Sequence, residues 1–395
     1  KNIYQWSSGV NMLDLNLDGK LDIYVCNTNS PSPDQRRNFL FVNQGNDAKG
    51  IPRFKEMGGE YGVDHPTHSS HAQFFDYDND GDLDLFIGVN FIYQMYPNKY
   101  IHRASDGSAP TRDYLFRNDW SAPLGHPVFT DVSLQAGIVW EGFSHSALVC
   151  DFNEDGWQDI YVSNDFQSND LIYINNRNGT FTNRAADIFK HQAFSSMGSD
   201  IADFDNDGRA DFFMTEMQPY YNKRKKLFQG GSSYQTYLYT EQYKYEYQFT
   251  RNMLQRNAGT HPETGLPIFS EIGMYAGLQE TDWSWSPLFA DFDNDGLRDL
   301  YITNGFPRDV TDHDFAEFNK TIASTLLSKK EIYEKIPQVM SPNFMFKNKG
   351  DFLFDDVSEK WGFKIPSFTN GAAYADLDKD GDLDLVTNNI NAKAF

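Results

Sequence analysis

Six copies of an acidic nine-residue loop contain the residues of this chain that are best suited to bind a metal. Each copy follows the pattern D-x-[DN]-x-D-G-x-x-D, and the copies span residues 14–22, 76–84, 151–159, 203–211, 291–299 and 376–384. Carboxylate and amide oxygens at positions 1, 3, 5 and 9, with the backbone carbonyl of position 7, form the hard-oxygen set that Ca²⁺ prefers. Glycine occupies position 6 throughout, where a sharp turn needs a backbone without a Cβ. The pattern therefore predicts about six structural Ca²⁺ sites.

Five residues of each loop are predicted as ligands. They are Asp14, Asn16, Asp18, Lys20, Asp22; Asp76, Asp78, Asp80, Asp82, Asp84; Asp151, Asn153, Asp155, Trp157, Asp159; Asp203, Asp205, Asp207, Arg209, Asp211; Asp291, Asp293, Asp295, Leu297, Asp299; and Asp376, Asp378, Asp380, Asp382, Asp384. The residue type at position 7 varies, as expected if only its backbone carbonyl binds. Asn at position 3 of the first and third loops keeps the oxygen but removes a charge. The first loop, with three ligand carboxylates, is expected to bind Ca²⁺ most weakly.

The residues that follow each loop distinguish it from an EF-hand. An EF-hand places Glu at position 12 and a helix on each side. Here position 12 falls within an apolar, strand-like run, such as residues 23–25 or 300–302. The loop therefore joins two strands. The alternative is a solvated Asp/Asn/Gly turn without metal, but six copies with an invariant glycine favour the metal.

The negative charge of the chain is concentrated in these loops. They hold 25 acidic and 4 basic residues, whereas the whole chain of 395 residues holds 56 acidic and 34 basic residues, a net charge of −22. The two signs nearly balance outside the loops. Carboxylates held this close together repel one another, so bound cations are expected to relieve strain. The net negative charge also argues against a nucleic acid partner.

Three histidines before the second loop are a candidate for a different metal. His65, His68 and His71 have a spacing that a zinc site could use, although they equally fit polar residues at a strand edge. The chain contains no HExxH, P-loop or GxSxG motif. No catalytic residue is therefore predicted.

Four further acidic residues follow the strands that leave the loops. They are Asp165, Glu216, Asp309 and Asp312. Two roles fit them equally well from the sequence: binding a ligand at a rim, or supporting the local loop. A glycosidase-type pair of carboxylates cannot be picked out, because Ca²⁺ claims most of the candidates.

The loops lie within a longer repeat that predicts four strands. A strand of small residues enters each loop, an apolar strand leaves it, and a fourth strand begins with Phe. The third strand has a form close to [ND]-x-L-[FY]-x-N, and its copies begin at Asn38, Asp113, Asp170, Asn252 and Asn343. Four short antiparallel strands per repeat are typical of a β-propeller blade, and neighbouring blades must stack to bury both faces. The predicted fold is an all-β propeller of four-stranded blades.

Two segments interrupt the repeat. Residues 218–250 are rich in Tyr and Lys, which predicts either a long hairpin packed on its blade or an aromatic platform for a ligand or partner. Residues 307–340 have the period of a helix and are expected to dock through an apolar stripe. We expect a single propeller domain over residues 1–395. The sixth repeat ends after two strands, so this domain is expected to be incomplete at one or both ends.

The remaining composition places limits on the class of protein. The chain has no apolar run long enough for a transmembrane helix and no visible secretory signal, and its first residue is Lys. A trimmed or processed chain is the expected explanation. The two cysteines, Cys26 and Cys150, are expected to be small buried residues rather than a disulfide.

The loops and their flanking strands resemble the FG-GAP/VCBS repeats of integrin-α-like propellers. Three longer strings, DWSWSP at residues 282–287, SSMG at 195–198 and FFDYD at 74–78, are similar to large FG-GAP repeat proteins of Bacteroidota, related to the cartilage acidic protein and UnbV group. That resemblance implies seven blades in the complete protein, Ca²⁺ in the loops, and export to the cell surface or secretion, with lipoprotein anchoring in the outer membrane. Family members carry another repeat upstream and a further C-terminal domain.

The expected function follows from this resemblance and from the loops. We expect a calcium-binding propeller that serves as a protein-binding or scaffold subunit of an outer-membrane nutrient-uptake or adhesion complex. It would lie on the extracellular face of a bacterial outer membrane or be secreted. A lectin-like, glycan-binding propeller is the alternative, and a polysaccharide lyase or hydrolase is the third.

Overall fold

A computed structural model describes residues 6–91, 100–321 and 325–394 of the chain. The chain divides into two compact units, with the boundary between Asp187 and Ile188. Both units consist mainly of antiparallel sheet, and each is considered by itself.

The first unit contains three four-stranded antiparallel sheets with strand orders β1-β2-β3-β4, β5-β6-β7-β8 and β9-β10-β11-β12. The strands are β1 (Trp6–Leu13), β2 (Asp22–Thr28), β3 (Phe39–Asn46), β4 (Pro52–Glu56), β5 (Ser69–Phe75), β6 (Asp84–Val89), β7 (Tyr114–Ser121), β8 (His126–Asp131), β9 (Ser144–Cys150), β10 (Asp159–Asn164), β11 (Leu171–Asn175) and β12 (Phe181–Asn183). Each sheet is a simple meander, as a propeller blade requires.

The second unit contains two four-stranded sheets, β14-β15-β17-β18 and β19-β20-β21-β22, and two pairs, β23-β24 and the parallel β13-β16. The strands are β13 (Gln192–Ala193), β14 (Ser199–Ala202), β15 (Asp211–Met214), β16 (Gln248–Phe249), β17 (Met253–Thr260), β18 (Pro267–Glu271), β19 (Ser284–Ala290), β20 (Asp299–Asn304), β21 (Phe344–Asn348), β22 (Phe354–Asp356), β23 (Thr369–Ala375) and β24 (Asp384–Asn389).

Helices are short in both units. They are α1 (Gly58–Tyr61), α2 (Ser133–Ala136), α3 (Ala185–Ile188), α4 (Asn222–Leu227), α5 (Tyr234–Tyr243), α6 (Gly273–Ala276), α7 (His313–Asn319) and α8 (Lys329–Lys335), with a 3₁₀ turn at Pro33–Gln35. The chain is thus an all-β propeller of four-stranded antiparallel blades, as the repeat predicted. The described residues hold five such blades, and the sixth repeat supplies the pair β23-β24. The count of seven for a complete protein stays a prediction.

The hydrophobic core lies between adjacent blades, because the side chains of a strand alternate between its two faces. In the second blade, Leu85 and Ile87 of β6 pack with Tyr24 of the first blade. Phe86, between them, packs with Ile160 of the third blade. A central strand buried on both faces needs a neighbour on each side, which explains why the blades stack.

The Asn or Asp at the start and the Asn at the end of the third-strand pattern, which recur from repeat to repeat, are explained by buried hydrogen bonds. In the fifth blade, Asn343 Oδ1 accepts the backbone N–H of Asn304 at 2.9 Å, and Asn343 Nδ2 donates to the Tyr301 hydroxyl at 2.7 Å. At the other end, Asn348 Nδ2 donates to the carbonyl of Phe204 in the fourth blade at 2.8 Å. The two polar ends therefore fix the strand within its blade and tie it to the preceding blade.

The Tyr/Lys-rich insertion does not fold as the long hairpin, which was one of the two alternatives predicted from the sequence. It folds as α4 and α5 and returns through β16, which pairs in parallel with β13. Ser233 caps α5 by accepting the backbone N–H of Thr236 at 3.0 Å. The hairpin prediction was wrong because a capped turn overrides the weak strand preference of a tyrosine-rich sequence.

The second insertion contains the predicted helices α7 and α8. Phe306 and Val339 exchange backbone hydrogen bonds of 2.8 Å in both directions and close the base of the insertion. The predicted apolar stripe is only partly covered, since Phe315 and Phe318 are half-buried and Leu326 is 82% exposed. Ile322, which also belongs to that stripe, lies outside the described residues.

The two cysteines are free, as expected. Cys26 is buried in β2 and Cys150 is half-buried at the end of β9. Burial raises the pKa of both thiols to about 12, so neither behaves as a reactive thiolate near neutral pH.

The glycine after α2 gives a test of how tightly blades meet. Gly137 has φ +81°, and a Cβ there would lie 2.6 Å from the carbonyl oxygen of Phe181 in the next blade. Gly179 has φ +77° with no atom within 4 Å of its Cβ position. We expect Gly179→Ala to cost about 1 kcal/mol through its backbone conformation alone. Gly137→Ala should cost about 1–3 kcal/mol more, because it also forces overpacking.

Urea denaturation of the two variants and the unaltered chain measures these differences. Equal losses of stability in the two variants would show that the contact between Gly137 and the third blade is loose.

Candidate metal centre

All six acidic loops share one backbone conformation. Position 4 is left-handed in every copy, with φ between 57° and 65°, and the position 6 glycine has φ between 83° and 98°. The carboxylate at position 1 accepts two backbone N–H groups: in the third loop, Asp151 accepts from Asp155 at 2.9 Å and from Gly156 at 2.7 Å. The turn therefore gathers the side chains of positions 1, 3 and 5 on one side.

Position 9 is the first residue of the strand that follows the loop, and its carboxylate bonds back to the loop. In the second blade, Asp84 is fully buried and accepts the N–H of Tyr77 at 3.1 Å. Its other oxygen accepts the N–H of Asn118 in the third strand at 2.8 Å. The same pair of bonds occurs in the first five loops. Burial raises the pKa of Asp84 to about 8, which shows the cost of an uncompensated charge here.

The predicted ligands converge in four of the loops. Groups of three carboxylates whose oxygens lie within 4.8 Å of one another are formed by Asp76, Asp78 and Asp84; Asp203, Asp205 and Asp211; Asp291, Asp293 and Asp295; and Asp376, Asp378 and Asp384. The first and third loops carry Asn at position 3, so they present fewer carboxylates at the same place. Several of these clusters could hold a metal ion, and their all-oxygen donors suit Ca²⁺.

The second loop gives the clearest sign that a cation fits. Asp78 Oδ1 and Asp82 Oδ1 are both buried, and neither has a hydrogen-bond partner among the described residues. Burial raises the pKa of Asp78, and that of Asp82 to about 6, and Asp80 adds to both shifts. Buried acceptors that face like charges are stabilised by a positive ion nearby, and Asp78, at position 3, is itself one of the predicted side-chain ligands.

Basic side chains beside two loops were not identified from the sequence. Arg256, just before the last Asn of β17, contacts Asp205 at 2.6 Å and Asp207 at 2.8 Å. Lys347 holds the equivalent place in β21 and pairs with Asp293 and, at 2.9 Å, with Asp295. The variable residue of the [ND]-x-L-[FY]-x-N pattern is the signal that could have revealed them, because it points toward positions 3 and 5.

The residues at position 7 lie where the turn ends. In each loop the backbone N–H of this residue donates to the position 5 carboxylate at 3.0–3.1 Å. This bond fixes the orientation of the position 5 side chain. The use of the position 7 carbonyl as a ligand stays a prediction.

The structure separates the three histidines considered for zinc. His65 packs on Tyr114 at 4.3 Å between ring centroids, and His68 stacks on Phe91 at 4.0 Å. His71 lies 2.9 Å from the side-chain nitrogen of Gln73. Burial lowers the pKa of His68 and of His71 to about 4. Each ring thus has its own partner, which agrees with the structural alternative.

The four acidic residues after the loop strands support local backbone. Glu216 accepts the N–H groups of Ser195 at 3.0 Å and Met217 at 2.6 Å. Asp312 caps α7, and Asp165 accepts the N–H of Phe166. Asp309 accepts from Thr311 and pairs with Arg224 of the first insertion, which also contacts Asp282 at 3.1 Å. Arg224 therefore links its insertion to two buried carboxylates, a role that no sequence pattern indicated.

Clefts of similar construction lie beside a loop in each unit. The first, of about 500 Å³, lies between Asp78 of the second loop, Trp157 of the third loop and the hairpin at residues 177–180. The second, of about 250 Å³, lies between Asp205, Leu297 and the hairpin at residues 350–352. The repeat thus builds a similar cleft twice, and the residue at position 7 of the following loop is Trp in one and Leu in the other.

The fold and these loops define a class: a β-propeller whose blades each carry an acidic, oxygen-rich turn. The sequence model of the FG-GAP-like repeat family matches residues 6–87 and 151–214. Those two segments therefore resemble FG-GAP-like repeats, and they lie in a β-propeller of four-stranded blades. No curated protein matches it.

The solved structures that the chain matches include proteins of different kinds. An Agrocybe aegerita lectin that recognises non-reducing terminal N-acetylglucosamine is 14% identical, with a TM-score of 0.44 over 96% of this chain and 74% of the lectin. The exotype rhamnogalacturonan lyase YesX is 11% identical, with a TM-score of 0.39. The Vibrio cholerae biofilm matrix protein Bap1 is 16% identical over 56% of this chain and 37% of that protein, with a TM-score of 0.25.

The match to the lyase YesX covers 97% of this chain but 53% of the lyase, so the chain spans about half of that protein. The ligands named for those proteins belong to them. Among the described residues, no helix has both the length and the apolar character needed to cross a membrane.

The left-handed residue at position 4 of the first loop gives a direct test of loop geometry. Leu17 has φ 58° and is 79% exposed, so its backbone is strained and its side chain gains no packing energy that would offset the strain. We expect Leu17→Asn to stabilise the chain by about 1 kcal/mol, because Asn tolerates this conformation. Leu21→Asn removes a similar exposed leucine without a positive φ and should change little. Thermal unfolding of both variants decides the matter, and a loss of stability in Leu17→Asn would contradict the loop conformation.

Proposed function

We propose that this protein is a calcium-stabilised β-propeller that serves as a binding scaffold outside the cell. The observation that carries the calcium part is the second loop, where two buried carboxylate oxygens lack hydrogen-bond partners among the described residues. The same turn recurs six times, with a left-handed residue at position 4 and glycine at position 6 in each copy. Asp and Asn oxygens of positions 1, 3, 5 and 9 would hold the ion, which would supply positive charge to the turn.

A bound ion would join three strands of a blade. Positions 1 to 7 follow the first strand, position 9 begins the second, and its carboxylate is bonded to the third. Metal binding to the folded state alone adds to folding stability by mass action. The extracellular Ca²⁺ concentration lies in the millimolar range, at which even weak sites of this kind are largely filled. Export to the cell surface, or secretion, is part of this proposal.

The scaffold part of the proposal rests on the insertions. Helix α5 has ten residues, of which Thr240 is the only buried one, and Tyr234 is 76% exposed. Exposed tyrosines are enriched in protein interfaces, since they offer a large apolar ring and a polar hydroxyl. A short helix with so little buried surface gains stability when a partner covers it. We propose a protein partner in a surface complex, such as one for nutrient uptake or adhesion.

Removal of calcium tests the structural role. EGTA should lower the melting temperature substantially, by about 10 °C or more, because several linked sites lose their ligand together. Differential scanning calorimetry, with the metal content of both samples measured by atomic absorption, makes the comparison. An unchanged melting curve after verified metal loss would refute the structural calcium role.

A single loop can be tested by substitution at position 3. Asp293→Ala should lower stability in Ca²⁺ by about 2 kcal/mol and much less in EGTA, since it removes a ligand. Asp34→Ala is the matched control, because Asp34 is an exposed residue outside the loops whose partner is Arg37 at 3.4 Å. Equal effects of Asp293→Ala with and without Ca²⁺ would show that the residue acts without the metal.

Glycan binding is the second candidate, and the larger cleft is the observation that favours it. Its volume of about 500 Å³ is typical of small-ligand sites, and it combines the ring of Trp157 with the polar side chains of Arg117, Arg177 and Thr180. A sugar needs this combination of an apolar surface and convergent hydrogen-bonding groups. A polysaccharide lyase or hydrolase remains a third candidate, without residues assigned to catalysis.

The Trp157 side chain is the test of this cleft. If the cleft binds a glycan, Trp157→Leu should weaken binding about tenfold, because the cleft loses the indole ring against which a sugar would pack. Trp120→Leu is the control, since Trp120 is 56% exposed and lies outside the cleft. A glycan array followed by titration calorimetry with the best glycan gives the measurement. Binding that survives in Trp157→Leu, or no glycan bound at all, would reject the candidate.

A further inference from the structure

An asparagine side chain ties the second acidic loop to the third. Asn79 is at position 4 of the second loop, and its Nδ2 donates to the carbonyl of Gly156, at position 6 of the third loop, at 3.2 Å. The left-handed backbone of Asn79, with φ 58°, is part of the loop conformation itself. The bond therefore connects two turns, each of which encloses a predicted metal site.

The second unit repeats this contact twice. Asn206 Nδ2 donates to the carbonyl of Gly296 at 3.1 Å, which joins the fourth and fifth loops. Asn294 Nδ2 donates to the carbonyl of Gly381 at 3.5 Å and to Asp382 Oδ1 at 2.8 Å, which joins the fifth and sixth loops. Donor and acceptor occupy the same loop positions in all three cases, so the contact belongs to the repeat.

Both ends of this bond lie next to predicted ligands. Position 4 stands between the ligands at positions 3 and 5 of its own loop, and position 6 stands between those at positions 5 and 7 of the next. An ion that holds one loop in its turn conformation therefore fixes the donor, and an ion in the next loop fixes the acceptor. When one end is already fixed, less conformational freedom remains to be lost at the other.

We propose that the position 4 asparagines couple the metal sites of neighbouring loops, so that binding in one loop raises the affinity of the next. This rests on the proposed calcium function and adds cooperativity to it. Asn79, Asn206 and Asn294 are then positioning residues that contact no ion themselves. The coupling must be reciprocal, since each ion changes the affinity for the other by the same factor. One hydrogen bond of ordinary net strength corresponds to a change in affinity of about two- to tenfold.

The third loop contains its own reporter for a test. Trp157 is at position 7, so its indole can sensitise the luminescence of Tb³⁺, an oxygen-seeking probe that replaces Ca²⁺. Excitation at the long-wavelength edge of indole absorption avoids the tyrosines. Trp157→Leu, which copies Leu297 of the fifth loop, should abolish the signal that belongs to the third loop and identifies it.

Titration of the full chain with Tb³⁺ then measures how the third loop responds to changes in the second. Asn79→Gly keeps the left-handed backbone and removes the donor, and Asn79→Leu, which copies Leu17 at the same left-handed position of the first loop, keeps the charge and a side chain of similar size but also lacks the N–H. Both variants should raise the Tb³⁺ concentration at half-saturation of the third loop about two- to tenfold. Asp80→Asn, which weakens the second site itself, should cause a shift in the same direction. When Asp80→Asn is combined with Asn79→Gly, it should shift the half-saturation concentration of the third loop little further, because the coupling between the loops is already lost.

Three results would overturn the proposal, and the third of them would also reject metal binding by the third loop. If the Asn79 variants bind Tb³⁺ in the third loop as the unaltered chain does, the contact is only structural. If the shifts of Asp80→Asn and Asn79→Gly simply add, the two loops act independently. If no signal depends on Trp157, the third loop does not bind the ion, and the calcium function of that loop falls together with the coupling.

Discussion

The carboxylate at position 9 of each acidic loop, which is buried in the first five loops, is the group on which the structure of a blade depends. It begins the second strand, and in the first five loops one oxygen accepts an N–H from the loop while the other accepts an N–H from the third strand. A carboxylate without exposure to water is costly unless its charge is compensated. The amide donors offset part of that cost, and a cation shared with positions 1, 3 and 5 would offset much of the rest. The pairing of the strands, the conformation of the loop and its preference for a cation therefore all depend on the carboxylate at position 9.

This constraint also determines where function can lie. The loop carboxylates are occupied in holding the turn, and the acidic residues after the strands are bonded to backbone, as Glu216 and Asp312 show. Variation remains in the insertions and in positions that the turn does not use. Position 7 is the best example, because the turn needs only its backbone, and its side chain forms a wall of the neighbouring cleft. Trp157 and Leu297 thus line two clefts of similar construction that differ in volume and in side-chain character.

The sequence was sufficient for the loops and for the blades because both are set by local spacing. A nine-residue pattern with an invariant glycine determines the turn, and strand alternation determines which side chains enter the core between blades. The insertions could not be predicted in the same way. Helix α5 has tyrosines on all sides and only a Ser233 cap to mark its start, so no apolar period identifies it. The partners of Arg224 lie 58 and 85 residues away, and only the folded chain brings them together.

Position 4 shows how one residue can satisfy a local and a distant requirement at once. The turn demands a left-handed backbone there, and Asn meets that demand with little strain. The same side chain has an N–H group, and the stacking of blades places the carbonyl of the next loop within its reach. Leu17 in the first loop meets neither requirement, since it strains the backbone and has no donor in its side chain. The first loop also has fewer ligand carboxylates than the second. The first loop therefore combines a weaker negative charge, a strained backbone and the lack of an amide hydrogen bond to the next loop. We infer that the loops of this propeller differ in how stable their turn conformation is.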